Sequence, residues 1–186
     1  MTSTSPSHGA SSPVRVAAVA MVLVAALQLP AGSPGISVRP IVREGQLVVS
    51  FRMNDDLAGE VRDAIQSGLA TTFSYDVELR RTGWFDRLLA STAVAASVRF
   101  DNLTRRYQMT RSVDGRIEEA RPSERFDDVR VWMTEFEHVV LSAAAVLEVN
   151  GEYAIRVRAH TRPRNASFLW PWGGALLGNA KFTFIP

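Results

Sequence analysis

Residues 71–83, TTFSYDVELRRTG, alternate apolar and polar side chains, and this pattern restricts the fold more than any other part of the chain. The apolar positions are Phe73, Tyr75, Val77 and Leu79, and the polar positions between them are Ser74, Asp76, Glu78 and Arg80. A period of two predicts a β-strand with one buried and one exposed face. The pattern leaves open whether the polar face meets water, a substrate or a partner.

Alternation of the same kind recurs along most of the chain. Further strands are predicted at 36–43, 46–53, 93–101, 104–113, 116–120, 152–162 and 180–185. Asp114-Gly115 is a typical hairpin turn, and Glu44-Gly45 is a second turn between alternating segments. Strands of parallel sheets are buried on both faces and lack such alternation, so these strands are predicted to pair antiparallel.

Two segments have helical periodicity instead. The first follows Asn54-Asp55-Asp56, buries Val61 and Ile65, and ends at Gly68. The second follows Pro122-Ser123-Glu124, and its apolar residues at i, i+3, i+4, i+7 and i+11 are Val129, Trp132, Met133, Phe136 and Val140. The sequence therefore predicts a β-rich α+β fold, an antiparallel, sandwich-like sheet system of about 7–8 strands with two helices.

The N-terminal segment predicts export. Positions 16–29 follow Arg15 and are apolar except for Gln28, a run that is shorter than the roughly 20 residues of a membrane-spanning helix. Such a run indicates a cleaved signal peptide, and an uncleaved N-terminal anchor is the alternative. We therefore expect a disordered leader with a signal peptide or anchor in 1–33 and a single β-rich domain in 34–186. The expected location is the periplasm, either diffusible or membrane-anchored through 16–31.

Composition excludes several chemistries. The chain has no cysteine, which excludes thiol catalysis, cysteine metal sites and disulfides. Three histidines leave few options for metal binding or proton transfer, and we predict no metal and no cofactor. A formal net charge of +2 gives no strong field for nucleic acid, so a nucleic-acid partner is not expected.

The order of the segments resembles a known family of exported bacterial proteins, domain of unknown function 4390. The resemblance is carried by LVVSFRMNDDLAGEVRDAIQSGLATTFSYDVELRR, WFDR, RFDNLTRRYQMTR, DDVRVWMTEFEHV and NGEYAIRVRAH. These segments span most of residues 40–186. The resemblance implies an envelope protein, with some relatives encoded beside membrane sensor kinases. It implies no catalytic residues.

Two features are candidates for partner binding. Arg156, Arg158 and Arg162 fall on the polar face of one predicted strand, and with Arg80, Arg81, Arg105 and Arg106 they could form a cationic face for lipid head groups or an acidic partner. The plainer interpretation is a solvated face paired to Asp76, Glu78 and Asp101. Trp170 and Trp172 flank a proline and could contact a membrane or a protein, or cap the sandwich.

Catalytic patterns are weak. Asp55-Asp56 and Asp127-Asp128 lie at predicted helix starts, where capping explains them, and Glu135 and Glu137 are predicted to point apart on a helix that His138 follows. The leading hypothesis is a non-catalytic module that binds an envelope protein or lipid. A hydrolase acting on envelope glycans or lipids is the alternative and would need His138 or His160 beside two carboxylates. A self-associating scaffold is the third possibility.

Overall fold

The structure is a computed structural model that describes residues 35–54, 57, 59–162 and 176–185. Its strands are β1 (Ile36–Arg43), β2 (Gln46–Met53), β3 (Thr71–Arg81), β4 (Arg87–Asp101), β5 (Arg106–Val113), β6 (Arg116–Ser123), β7 (Glu135–Ala143), β8 (Glu152–Arg162) and β9 (Leu176–Thr183). Its α-helices are α1 (Gly59–Gln66) and α2 (Phe126–Thr134), and a 3₁₀ turn spans Ala144–Val146. None of these helices is long and apolar enough to cross a membrane.

The strands form two antiparallel sheets. The larger has the order β6-β5-β4-β3-β8-β9, and the smaller has the order β1-β2-β7. The predicted antiparallel, β-rich α+β fold is confirmed, and the described residues form nine strands, among them β7, which the periodicity did not predict. Strand β3, which contains the alternating segment at 71–81, lies in the middle of the larger sheet between β4 and β8. It pairs with β8 although the two strands are far apart in the sequence.

The core lies between the two sheets. On β3, Phe73, Tyr75, Val77 and Leu79 are fully buried, as the alternation predicted. The ring of Tyr75 lies 5.2 Å from that of Phe51 on β2 and 4.9 Å from that of Phe136 on β7, measured between centroids. These aromatic contacts join the middle of the larger sheet to the smaller one.

One corner of the sandwich is closed by a close backbone approach. A Cβ atom on Gly178 of β9 would lie 2.6 Å from the carbonyl oxygen of Ile36 and 2.8 Å from its Cβ. Only glycine allows this distance, so β1 lies directly against the edge strand β9.

The predicted helix that extends to Val140 is wrong in its second half. Helix α2 ends at Thr134, and the chain continues directly into β7, which pairs antiparallel with β2. His138 has a φ of 57° and interrupts the register, so Phe136, Val139 and Leu141 are buried while Glu137 and His138 are exposed. This bulge shifts the alternation of buried and exposed residues by one position, so the spacing of the apolar residues resembles that of a helix.

The junction between α2 and β7 is held by side chains that satisfy the final carbonyl groups of the helix. Arg111 of β5 donates to the carbonyl oxygens of Trp132 (2.8 Å) and Glu135 (2.6 Å). Its guanidinium carbon lies 4.3 Å from the centroid of the Trp132 ring and 4.5 Å from that of Phe136. The Tyr75 hydroxyl donates to the Met133 carbonyl at 2.6 Å. These side chains bond the helix end to β5 and β3 of the larger sheet.

Replacing Arg111 by alanine removes these bonds and leaves the Trp132 and Glu135 carbonyls without their side-chain donor. We expect Arg111→Ala to lower the free energy of unfolding by roughly 2 to 4 kcal/mol in urea denaturation. The control is Arg116→Ala at the exposed start of β6, with an expected change below about 0.5 kcal/mol. Equal effects of the two substitutions would contradict the anchoring role.

Burial raises the pKa of Tyr75 far above its usual value, and nearby Arg111 lowers it to a smaller extent. The unfolded chain loses this proton near pH 10 while the folded chain retains it, so the stability that Tyr75 contributes is complete below about pH 10 and falls as the pH rises further. At neutral pH we expect Tyr75→Phe to cost about 1 kcal/mol through the lost hydrogen bond.

The measurement is urea denaturation of both proteins on either side of about pH 10. The difference between wild type and Tyr75→Phe is expected to narrow as the pH rises. A constant difference would show that Tyr75 does not have the raised pKa.

Candidate functional site

The polar face of β3 is part of a surface in which arginines alternate with acids. In the strand register, Asp76 lies opposite Arg158 and Glu78 opposite Arg156 of β8. Arg156 pairs with Asp86 at 2.8 Å, and Arg80 pairs with Glu78 at 3.0 Å. The charges on the polar face of β3 are therefore largely neutralised by charged residues of the protein itself.

The residues predicted for partner binding have different positions. Arg156 and Arg158 are exposed on β8, and Arg158 makes no ion pair with the residues that the structure describes. Arg162 is the last residue of β8, and its side chain lies outside the described part. Trp170 and Trp172 lie outside the described residues.

Of the remaining candidate arginines, Arg80 lies beside Arg156, since both pair with Asp86, at 3.8 and 2.8 Å. The two arginines of the β4–β5 turn lie apart from them. Arg105 and Arg106 lie at the β4–β5 turn, and Arg80 and Arg81 lie at the opposite end of the larger sheet. Arg106 pairs with Glu124 at 2.7 Å, at the mouth of an open cleft of about 460 Å³. The lining residues of that cleft are Gln66, Phe100, Asn102, Arg105, Tyr107 and Glu124.

Titratable side chains do not converge in the described part of the chain. His160 Nδ1 lies 3.7 Å from an Asp76 carboxylate oxygen on the outer sheet face, and exposed His138 lies in the β7 bulge. Glu135 and Glu137 lie on a strand, which corrects the helical geometry predicted for them. Among residues 35–54, 57, 59–162 and 176–185, no three His, Cys, Asp or Glu side chains are grouped as a metal site requires.

The β3–β4 hairpin has an aromatic tip. Trp84 is 95% exposed and Phe85 is 82% exposed, and both lie in the connection between Arg81 and Arg87, which are opposite each other in the register. Most aromatic residues in the described part are buried between the sheets, so these two are exceptions. Two adjacent, nearly fully exposed large aromatic rings mark a contact surface.

Two other segments lie beside this tip. The Thr82 backbone N–H donates to the carbonyl of Glu152 at 3.0 Å, and Arg81 donates to both carboxylate oxygens of Glu148, at 2.5 and 2.7 Å. This bidentate contact raises the pKa of Arg81. The Asn150 N–H donates to the carbonyl of Phe184 at 2.8 Å, which ties the C-terminal segment to the same place.

All three segments carry exposed apolar side chains. We call this surface the hairpin end, defined by Trp84, Phe85, Leu88, Val146, Val149 and Ile185. The sequence analysis did not propose a contact role for residues 83–86. The signal in the sequence is a pair of adjacent large aromatic residues in the connection between two alternating strands, where Gly, Asn and Asp are the usual turn residues.

Comparison with known proteins identifies the family. Residues 36–165 match the family described as "Domain of unknown function (DUF4390)". The chain belongs to this family. The match covers more than half of the chain and confirms the resemblance found in the sequence. Neither a curated protein nor a solved structure matches the DUF4390 chain.

If the aromatic tip serves contact rather than folding, its removal leaves stability unchanged. We expect the double substitution Trp84→Ser and Phe85→Ser to change the free energy of unfolding by less than about 0.5 kcal/mol, because neither ring is buried. Phe51→Ser, in the core, is the control and is expected to lose more than about 3 kcal/mol. A large loss from the tip variant would mean that the rings pack within the protein.

Proposed function

We propose that this chain is an exported bacterial envelope protein that acts as a non-catalytic binding module for a protein or lipid. Export rests on the apolar run at 16–29 after Arg15. The module works in the periplasm, either diffusible or anchored through its N-terminal segment. The family resemblance makes a membrane sensor kinase the first protein partner to test.

The observation that supports binding is the hairpin end. Water contacts nearly all of the Trp84 and Phe85 rings, although the described part of the chain buries most other aromatic side chains. Exposure of this kind is unfavourable by roughly 25 cal/mol for each Å² of apolar surface, and a partner that covers the rings recovers that free energy. The tip therefore supplies both a driving force and a location for binding.

The alternative of an envelope hydrolase has less support. It requires a histidine with two carboxylates in a cleft, and the described His160 and Asp76 lie on the outer face of the larger sheet. The described cleft beside Tyr107 holds one carboxylate, Glu124, which is paired with Arg106. No described group of side chains favours hydrolysis over binding.

Site-specific photocrosslinking in the host tests the proposal. A photoreactive phenylalanine analogue replaces Phe85, and separate chains carry it at Leu103 or at Trp172. Leu103 is 95% exposed at the opposite β4–β5 turn and is the matched control. We expect a protein or lipid adduct from position 85 in the envelope fraction and none from position 103.

The Trp84→Ser variant makes this test specific, because loss of the neighbouring ring is expected to reduce the adduct at 85 severalfold without changing the amount of protein. Adducts at 172 but not at 85 would transfer the binding role to the Trp170–Trp172 segment. Equal adducts at 85 and 103, or none at any position, would contradict a binding module.

A further inference from the structure

The exposed apolar side chains of the hairpin end come from three separate segments of the chain. Trp84 and Phe85 are in the β3–β4 connection, Val146 and Val149 are between β7 and β8, and Ile185 follows β9. Val149 is 59% exposed and Ile185 is 61% exposed. Hydrogen bonds hold these three segments at one end of the sandwich, and exposed apolar side chains gathered there from separate parts of the chain mark a contact site.

The three segments are fixed to one another. The bidentate Arg81–Glu148 contact and the Thr82–Glu152 backbone bond join the tip to the β7–β8 connection. The Phe184 N–H donates to the carbonyl of Gly151 at 3.0 Å, which holds the C-terminal segment against that connection. Because these contacts order the surface in advance, binding does not require the segments to become ordered.

The charges at this end leave a small cationic excess, which is complementary to phosphate. The acids nearest the tip are neutralised, since Asp86 pairs with Arg156 and Glu148 with Arg81. Arg87, next to the tip, makes no ion pair within the described residues, and neither do Lys181 and Glu152. Two unpaired cations therefore accompany one unpaired acid.

We propose that the hairpin end docks on the phospholipid head-group layer of a bilayer, an inference that rests on the proposed binding function. A tryptophan ring is favoured at this depth, and a guanidinium such as that of Arg87 can reach phosphate while apolar neighbours enter the layer. Side chains projecting from several connections fit a deformable interface.

The charge distribution also predicts how docking responds to salt. Three cations beside the hairpin end, Arg80, Arg81 and Arg156, are paired with acids, and only a small cationic excess remains, so apolar insertion contributes more than electrostatic attraction. Docking is therefore expected to weaken less than tenfold between low and physiological salt. It is also expected to persist on vesicles in which anionic lipid is the minor component.

The test uses the absence of native cysteine to attach one environment-sensitive dye to the full chain. Phe85→Cys reports the hairpin end, and Leu103→Cys, at an exposed position of the opposite turn, is the matched control. Vesicles of phosphatidylethanolamine and phosphatidylglycerol carry a quencher on their acyl chains. We expect a blue shift and quenching of the dye at 85, with neither change at 103, even when residues 16–29 tether the chain.

Val149→Cys provides a second position, and Trp84→Asp in that background is expected to abolish its spectral shift while near-ultraviolet dichroism shows the fold intact. A dye at 85 that remains in water on vesicles carrying the chain would overturn lipid docking. If position 85 nevertheless crosslinks to a protein in the host envelope, the binding function stands and only the lipid assignment fails. Absence of both signals would contradict both proposals.

Discussion

The anchoring of the α2 C-terminus by Arg111 is the interaction on which the arrangement of the two sheets depends. The chain leaves the helix at Thr134 and enters β7 without a loop, so the position of the helix end sets the position of the smaller sheet. Burial lowers the pKa of the Arg111 guanidinium, which remains charged because arginine does not lose its proton in proteins. Two carbonyl oxygens and two aromatic faces take the place of a carboxylate partner.

This rigid connection explains how the protein presents a defined surface far from its core. Tyr75 contacts α2 through its hydroxyl and the smaller sheet through its ring, in the middle of the same strand that ends at Arg81. The β3–β4 tip thus projects from a strand whose central side chains are fully buried between the sheets. Contacts from Arg81 and Thr82 then fix the neighbouring connections, and the apolar residues of the hairpin end share one surface because of this framework.

Local sequence patterns predicted an element correctly where a single effect, such as burial of one strand face or a turn that needs glycine, determined the residue types. Alternation in β3 reported burial directly, and Gly68, with a φ of 88°, ended α1 as predicted. The segment after Thr134 could not be predicted in this way, because the bulge at His138 combines a strand with helical spacing and only pairing to β2 selects the strand. The aromatic side chain of Trp84 in a connection between two strands could be recognised from the sequence. Its neighbours Val149 and Ile185 could not, because they are distant in sequence and come near the tip only through tertiary contacts.

The central claim, that an exported domain contacts its partner through the hairpin end, is tested most directly by thiol labelling in host cells. Single-cysteine chains Phe85→Cys and Leu103→Cys are exposed to a membrane-impermeant maleimide after the outer membrane alone has been permeabilised. We predict labelling at position 103 and protection at position 85 that detergent removes. Equal labelling at both positions would contradict a covered hairpin end, and no labelling at either until the inner membrane is broken would contradict export.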